Sequence, residues 1–230
     1  MADICDIDGV VFDVLGTMVD EPGGLRVALR EAVPAADGAF GDELLAVWQR
    51  HVEHEQRRIA RGDRPYAGSE VIDAEAARRV ADRAGLTDPA AVARLATAGQ
   101  RLRPWSDSVA GLERLARRFP VLGLSNAGHT ALLRLNTYAG LRWHQVLSGE
   151  TVRAYKPAPE VYQLAVDTVG CPPERVLMVA AHAWDLRGAR ARSMRTAYVR
   201  RPIGDPPTRS DTFDGEYDGL DELVTALTAR

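Results

Sequence analysis

Residues 10–17 read V-V-F-D-V-L-G-T, an apolar run rich in branched side chains that carries one carboxylate and stops at a glycine. Such a run, closed by a turn former, is the pattern of a buried strand entering a tight turn. A strand is therefore predicted over Val10 to Leu15, with Asp13 near its carboxyl end. Comparable runs recur at Val121 to Leu124, Val146 to Leu147, Val176 to Ala180 and Thr196 to Val199. Helical patterns separate them, at Ser108 to Arg118, Thr130 to Ala139, Pro159 to Val169 and Trp184 to Ser193. Alternation of this kind implies an α/β fold, a doubly wound parallel sheet covered on both faces. In open sheets of this type ligands bind outside the carboxyl ends of the strands, where Asp13 is expected.

The interval from the first strand to the second is too long for a plain crossover. More than eighty residues, about 19–103, show helical rather than strand periodicity. Its clearest helix, Asp42 to Arg61, places Leu45, Trp48, Val52 and Ile59 near one face before Gly62. This is read as an inserted helical cap domain over 19–103. Residues 1–18 and 104–230 then form a Rossmann-like core. The cap is expected to close over the strand ends and exclude water. A proline-rich loop spans Pro202 to Pro207, and a final helix, Leu220 to Thr228, completes the core.

Composition narrows the function classes. The chain of 230 residues is 46% hydrophobic with a net charge of -3, enough for a globular core and no basic groove. Arginines such as Arg26, Arg30, Arg78, Arg79, Arg117 and Arg118 are interspersed with acids, a solvated surface rather than a nucleic-acid site. No stretch approaches the ~18 uninterrupted apolar residues of a membrane helix, and Met1 to Asp8 is acidic, so a cytoplasmic location is expected. Cys5 and Cys171 lie far apart without a partner pattern and are expected as buried small residues. Of 29 basic residues only Lys156 is lysine, which marks either a position that needs an amine rather than a guanidinium or an accident of composition.

Four segments carry the chemistry: VVFDVLGT at 10–17, VLGLSNAG at 121–128, AYKPAPEVY at 154–162 and VLMVAAHAWDLRGA at 176–189. A carboxylate at a strand end followed by Gly-Thr meets backbone donors in a turn, with the Thr17 hydroxyl in reach. Ser125 and Asn126, again just after an apolar strand, supply donors at the same sheet edge. The Lys156 ammonium can keep Asp13 ionised, and Asp185 can position Lys156. In this order the four segments resemble the haloacid-dehalogenase superfamily. The resemblance implies that Asp13 is the nucleophile of a covalent enzyme ester and that Ser125, Asn126, Lys156 and Asp185 occupy the later motifs.

Within that superfamily the chain is closer to the L-2-haloacid dehalogenases than to the magnesium-dependent phosphatases. The phosphatases carry a second Asp two residues after the nucleophile, where this chain has Leu15, and further acid in the fourth motif, where AAHAWD offers only Asp185. Magnesium usually requires more than one carboxylate, so no metal and no cofactor are expected. Carbon–halogen cleavage needs neither, because a halide leaves unprotonated and water can then hydrolyse the aspartyl ester. The spacing of Lys156 to Tyr162 and the Ala183-Trp184-Asp185 run also match the dehalogenases. Trp184 is read as core packing.

Three departures bear on the transfer of activity. An arginine typically follows the cap tryptophan; here Trp48 is followed by Gln49, and Arg50 one place on points about 100° away. Leu15 replaces a typical aromatic. His182 replaces a typical asparagine and Ala180 a typical serine, both near the expected water. A histidine there could act as a base near neutral pH, or be a packed structural residue. The expected function is hydrolytic dehalogenation of short 2-haloalkanoic acids, with Asp13, Thr17, Lys156, Asp185 and His182 catalytic and Leu15, Gln49, Ser125, Asn126 and Tyr162 binding substrate. A magnesium-dependent phosphatase, or a relative recruited to another small-molecule reaction or to ligand binding, is the alternative. The expected partner is a 2-haloacid, with no nucleic acid and no membrane, and a homodimer is the candidate assembly.

Overall fold

Val10, Val11 and Phe12 have no exposed surface, as a strand covered on both faces requires. They form β1 (Gly9–Asp13) in a computed structural model of the chain that describes residues 6–229. Cys5 lies outside the described residues. The other strands are β2 (Val121–Ser125), β3 (Gln145–Ser148), β4 (Val176–Ala180), β5 (Arg195–Val199) and β6 (Gly215–Tyr217). All pair in parallel in the order β3-β2-β1-β4-β5-β6. The first strand in sequence thus lies inside the sheet between β2 and β4. Its carboxyl end is the point where strand order reverses, the usual place for a ligand site in such sheets.

β1 ends at Asp13, two residues earlier than the apolar run suggests. Met18 N donates to Val14 O at 2.9 Å, and Gly16 has φ +79°, so Val14 and Leu15 already belong to the turn. β6 has no counterpart in the sequence reading, because three residues, G-E-Y, carry too little alternation to stand out. The helices of this part are α5 (Ser108–Ala116), α7 (Pro159–Val169), α8 (Ala183–Arg190) and α9 (Leu220–Thr228). Cys171 is half-buried rather than buried and packs against the main core cluster.

A second compact unit comprises Glu21–Arg103 together with Ala127–Ala139. It contains α1 (Glu21–Ala32), α2 (Gly38–Ala60), α3 (Ser69–Ala84), α4 (Pro89–Ala96) and α6 (His129–Ala139). Its core is built from Leu25, Leu29, Leu44, Leu45, Trp48 and Val80, among others. α6, which the sequence reading put in the core domain, groups here, with Arg134 donating to Gln100 Oε1 at 3.2 Å. α2 begins at Gly38, after Asp37, whose side chain makes no capping hydrogen bond, and its buried stripe runs Leu44, Leu45, Trp48, His51, Glu55. Val52 and Ile59 are only half-buried. The stripe turns polar because Arg64 bridges Glu55 (2.6 Å) and Glu75 (2.8 Å), an ionic network that apolar periodicity cannot reveal. Among the described residues no helix is long and apolar enough to cross a membrane.

Candidate active site

The carboxyl ends of β1, β2 and β4 bring together the side chains of three of the four motifs, and the 148–158 segment after β3 supplies the lysine. Asp13, the last residue of β1, is nearly buried, and both its oxygens are engaged. Oδ1 accepts the Lys156 ammonium at 2.7 Å and Oδ2 accepts the Thr17 hydroxyl at 2.6 Å. Thr17 Oγ1 in turn accepts Ala181 N at 2.9 Å, so its single proton is directed at Asp13.

Lys156 is buried among three acceptors: Asp13 Oδ1, Asp185 Oδ2 at 2.6 Å and Leu124 O at 3.1 Å. These use all three N–H bonds of an ammonium. Burial by itself lowers the pKa of this group, but the charges of Asp13 and then Asp185 outweigh it and the net shift is upward. Lys156 therefore stays cationic between two carboxylates. Asp185 is fully buried in the first turn of α8. Burial, then the neighbouring Asp13 charge, push its pKa up against the pull of Lys156. Its Oδ1 also accepts the Tyr162 hydroxyl at 2.7 Å, and with a donor on each oxygen the ionised form is the one the geometry serves. The Tyr162 phenol, pushed upward by burial and by Asp185, keeps its proton and remains a donor. It reaches Asp185 across Gly188, where a Cβ would overlap the phenol oxygen.

Asn126 has a role that motif spacing does not disclose. Rather than simply offering donors to the site, its Oδ1 accepts Lys156 N at 2.7 Å and its Nδ2 donates to Lys156 O at 3.5 Å, bracketing the lysine backbone. Ser125 is buried at the end of β2. Leu15 lies in the turn, half-buried, and its carbonyl is 3.3 Å from His182 Nε2. That imidazole is 4.0 Å from Asp13 Oδ2 and partly exposed. A Cβ on Gly16 would sit 2.5 Å from His182 Nε2, so the positive φ and the ring both require glycine there. Gln49 belongs to the other unit, on α2, where it and Arg50 are both exposed.

Trp184 is not core packing, contrary to the sequence reading. α8 buries Ala183, Asp185, Leu186 and Ala189, which leaves Trp184 36% exposed, its ring 6.0 Å from that of His182. A residue the sequence reading passed over, Asp205 in the proline-rich loop, fixes the start of α8. Its Oδ2 accepts Trp184 N at 2.9 Å and its carbonyl accepts Ala183 N at 2.8 Å. Thus the turn carrying His182 and Asp185 is tied down from the far end of the chain.

Comparison with known proteins follows the same lines. A family model described as a haloacid dehalogenase-like hydrolase matches residues 7–191. The chain is 31% identical over 224 residues to (S)-2-haloacid dehalogenase H-109 of Pseudomonas putida, covering 91% of this chain and 96% of that one. The crystal structure of the L-2-haloacid dehalogenase PA0810 superposes with a TM-score of 0.85 at 29% identity, over 96% of this chain and 100% of that one. An L-2-haloacid dehalogenase from Xanthobacter autotrophicus with chloropropionic acid covalently bound gives a TM-score of 0.81 at 26% identity, over 95% and 97%.

Proposed function

The chain belongs to the haloacid dehalogenase-like hydrolases, and from that premise we propose that it hydrolyses the carbon–halogen bond of short 2-haloalkanoic acids through an ester on Asp13, without a metal ion. The observation that carries this reading is the Lys156 ammonium between Asp13 and Asp185, at 2.7 and 2.6 Å. A buried cation beside Asp13 offsets the repulsion between the nucleophile and an anionic substrate. It also occupies the ground between the two carboxylates that a divalent ion would share, and Asp185 has both oxygens committed.

In the first half-reaction an Asp13 oxygen attacks the carbon next to the substrate carboxylate, and the halide leaves with the bonding pair. No proton is needed by the leaving group, consistent with Leu15 where the phosphatases carry an acid. In the second, water adds to the ester carbonyl and releases the 2-hydroxy acid, one proton going to solvent. The water requires a base. Asp185 is fully buried and doubly hydrogen-bonded, whereas the partly exposed His182 imidazole is 4.0 Å from Asp13 Oδ2, so His182 is the better placed acceptor. Thr17 orients the nucleophile. Ser125, Leu15, Tyr162 and Asn126 complete the site, Tyr162 through Asp185 and Asn126 through Lys156. Gln49 is the counterpart on α2 of the typical arginine.

The test is halide release from 2-chloro- and 2-bromopropionate with and without a chelator. Release unaffected by chelator is the expected result. Release abolished by chelator and restored by magnesium, or activity confined to phosphate esters, would overturn it.

A further inference from the structure

The turn that follows the nucleophile is gripped from outside the cluster described above. Trp105 Nε1 donates to Gly16 O at 3.0 Å, and Arg201 Nε donates to Thr17 O at 2.8 Å. Arg201 lies just past β5, with its side chain nearly buried. Its Nη1 contacts both oxygens of Asp107 at 2.8 Å, and its guanidinium carbon is 5.8 Å from the centre of the Trp105 ring. Asp107 immediately precedes α5 and also accepts Leu220 N, the first residue of α9, at 2.9 Å. Segments distant in sequence therefore converge on the carbonyls of two consecutive residues.

We propose that Arg201, anchored by Asp107 and backed by Trp105, is a positioning residue for the dehalogenation, acting through Thr17 to aim Asp13. This rests on the reading of Asp13 as the nucleophile. Gly16, at φ +79°, is a swivel that imposes little restraint of its own. Thr17 must keep its hydroxyl 2.6 Å from Asp13 Oδ2 while accepting Ala181 N, a geometry that a small rotation of the turn would break. A clamp on the Thr17 carbonyl supplies that restraint.

Two features set this apart from an ordinary structural cross-link. Arg201 Nη2 is buried with no hydrogen-bond partner among the described residues, a costly arrangement that an apolar pair would avoid. The planar guanidinium is also what the geometry uses, since Nε serves the Thr17 carbonyl and Nη1 the Asp107 carboxylate from two nitrogens held at a fixed spacing.

The test uses the full chain with 2-chloropropionate. Asp13 alkylation is followed in a rapid-quench single turnover by intact-protein mass, beside steady-state kcat and KM and thermal melting. Arg201→Lys should remain folded and alkylate about tenfold more slowly, with KM changed less than about twofold, because only orientation in the transition state is lost. In a Thr17→Val background the same change should cost almost nothing further. If Arg201→Lys does not fold, Asp107→Asn, which keeps the Thr17 carbonyl contact but loosens its anchor, should give a smaller loss with the same dependence on Thr17. An unchanged alkylation rate in the folded variant, or an undiminished loss on top of Thr17→Val, would overturn the proposal. Absence of any mass gain at Asp13 in the wild type, observed before a variant is measured, would overturn the nucleophile reading and the clamp with it.

Discussion

Replacing Lys156 by arginine preserves the charge and tests whether the amine itself is required. The ammonium sends three N–H bonds from one atom to Asp13 Oδ1, Asp185 Oδ2 and Leu124 O, at 2.7, 2.6 and 3.1 Å. A guanidinium spreads its donors over a plane and is larger, so it cannot meet all three acceptors in a pocket that leaves Lys156 only 5% exposed. Losing one charge-assisted hydrogen bond, about 1.5–3 kcal/mol, corresponds to alkylation roughly ten- to a hundredfold slower if it falls on the transition state. Overpacking adds about 1–3 kcal/mol of destabilisation, which in a chain of this size lowers Tm by about 2–12 °C. The assay is single-turnover alkylation of Asp13 with melting curves on the same samples. Wild-type rates in a folded Lys156→Arg protein would refute the reasoning and make the solitary lysine an accident of composition.

Other outcomes follow from the same geometry. Because the folded pKa of Lys156 lies above its unfolded value of about 10.4, its contribution to stability is present below that pH and is lost only as pH rises through the folded value. Alkylation should accordingly show no alkaline limb from pH 8 to about 10, and a limb with a midpoint below about 9 would contradict the assignment. His182→Ala should give a burst of halide equal to the enzyme, then slow turnover with the ester accumulating; equal slowing of both phases would remove His182 as the base. Gln49→Arg should speed chloride release from 2-chloropropionate by roughly ten- to a hundredfold, the worth of one charge-assisted hydrogen bond to the leaving ion. Arg50→Ala should change it little, and the reverse pattern would mean that Arg50 meets the halide.

What the sequence disclosed depended on whether a signal was local. β4 and α7 have the bounds expected from their residues, the latter because Pro159 opens the helix and Gly170, at φ +76°, closes it. Asp13, Thr17, Lys156 and Asp185 could be gathered in advance because each motif lies beside a strand whose carboxyl end topology brings to one edge. Roles that depend on a distant partner were not legible. Asn126 reads as a donor near the site, yet it brackets a backbone 30 residues away. Asp205 and Arg201 sit in or beside a proline-rich loop without a motif, and their partners are 21 and 184 residues distant. The buried face of α2 was misjudged because charged residues in mutual contact look, in sequence, like a solvated surface.

The central claim is that Asp13 becomes the ester, and one turnover in heavy-oxygen water tests it most directly. With enzyme in excess over 2-chloropropionate, the first molecule of lactate should carry ordinary oxygen taken from Asp13, and the peptide containing Asp13 should gain the heavy isotope. Heavy oxygen in the first lactate, with Asp13 unlabelled, would mean that water attacks the substrate directly and would contradict the account.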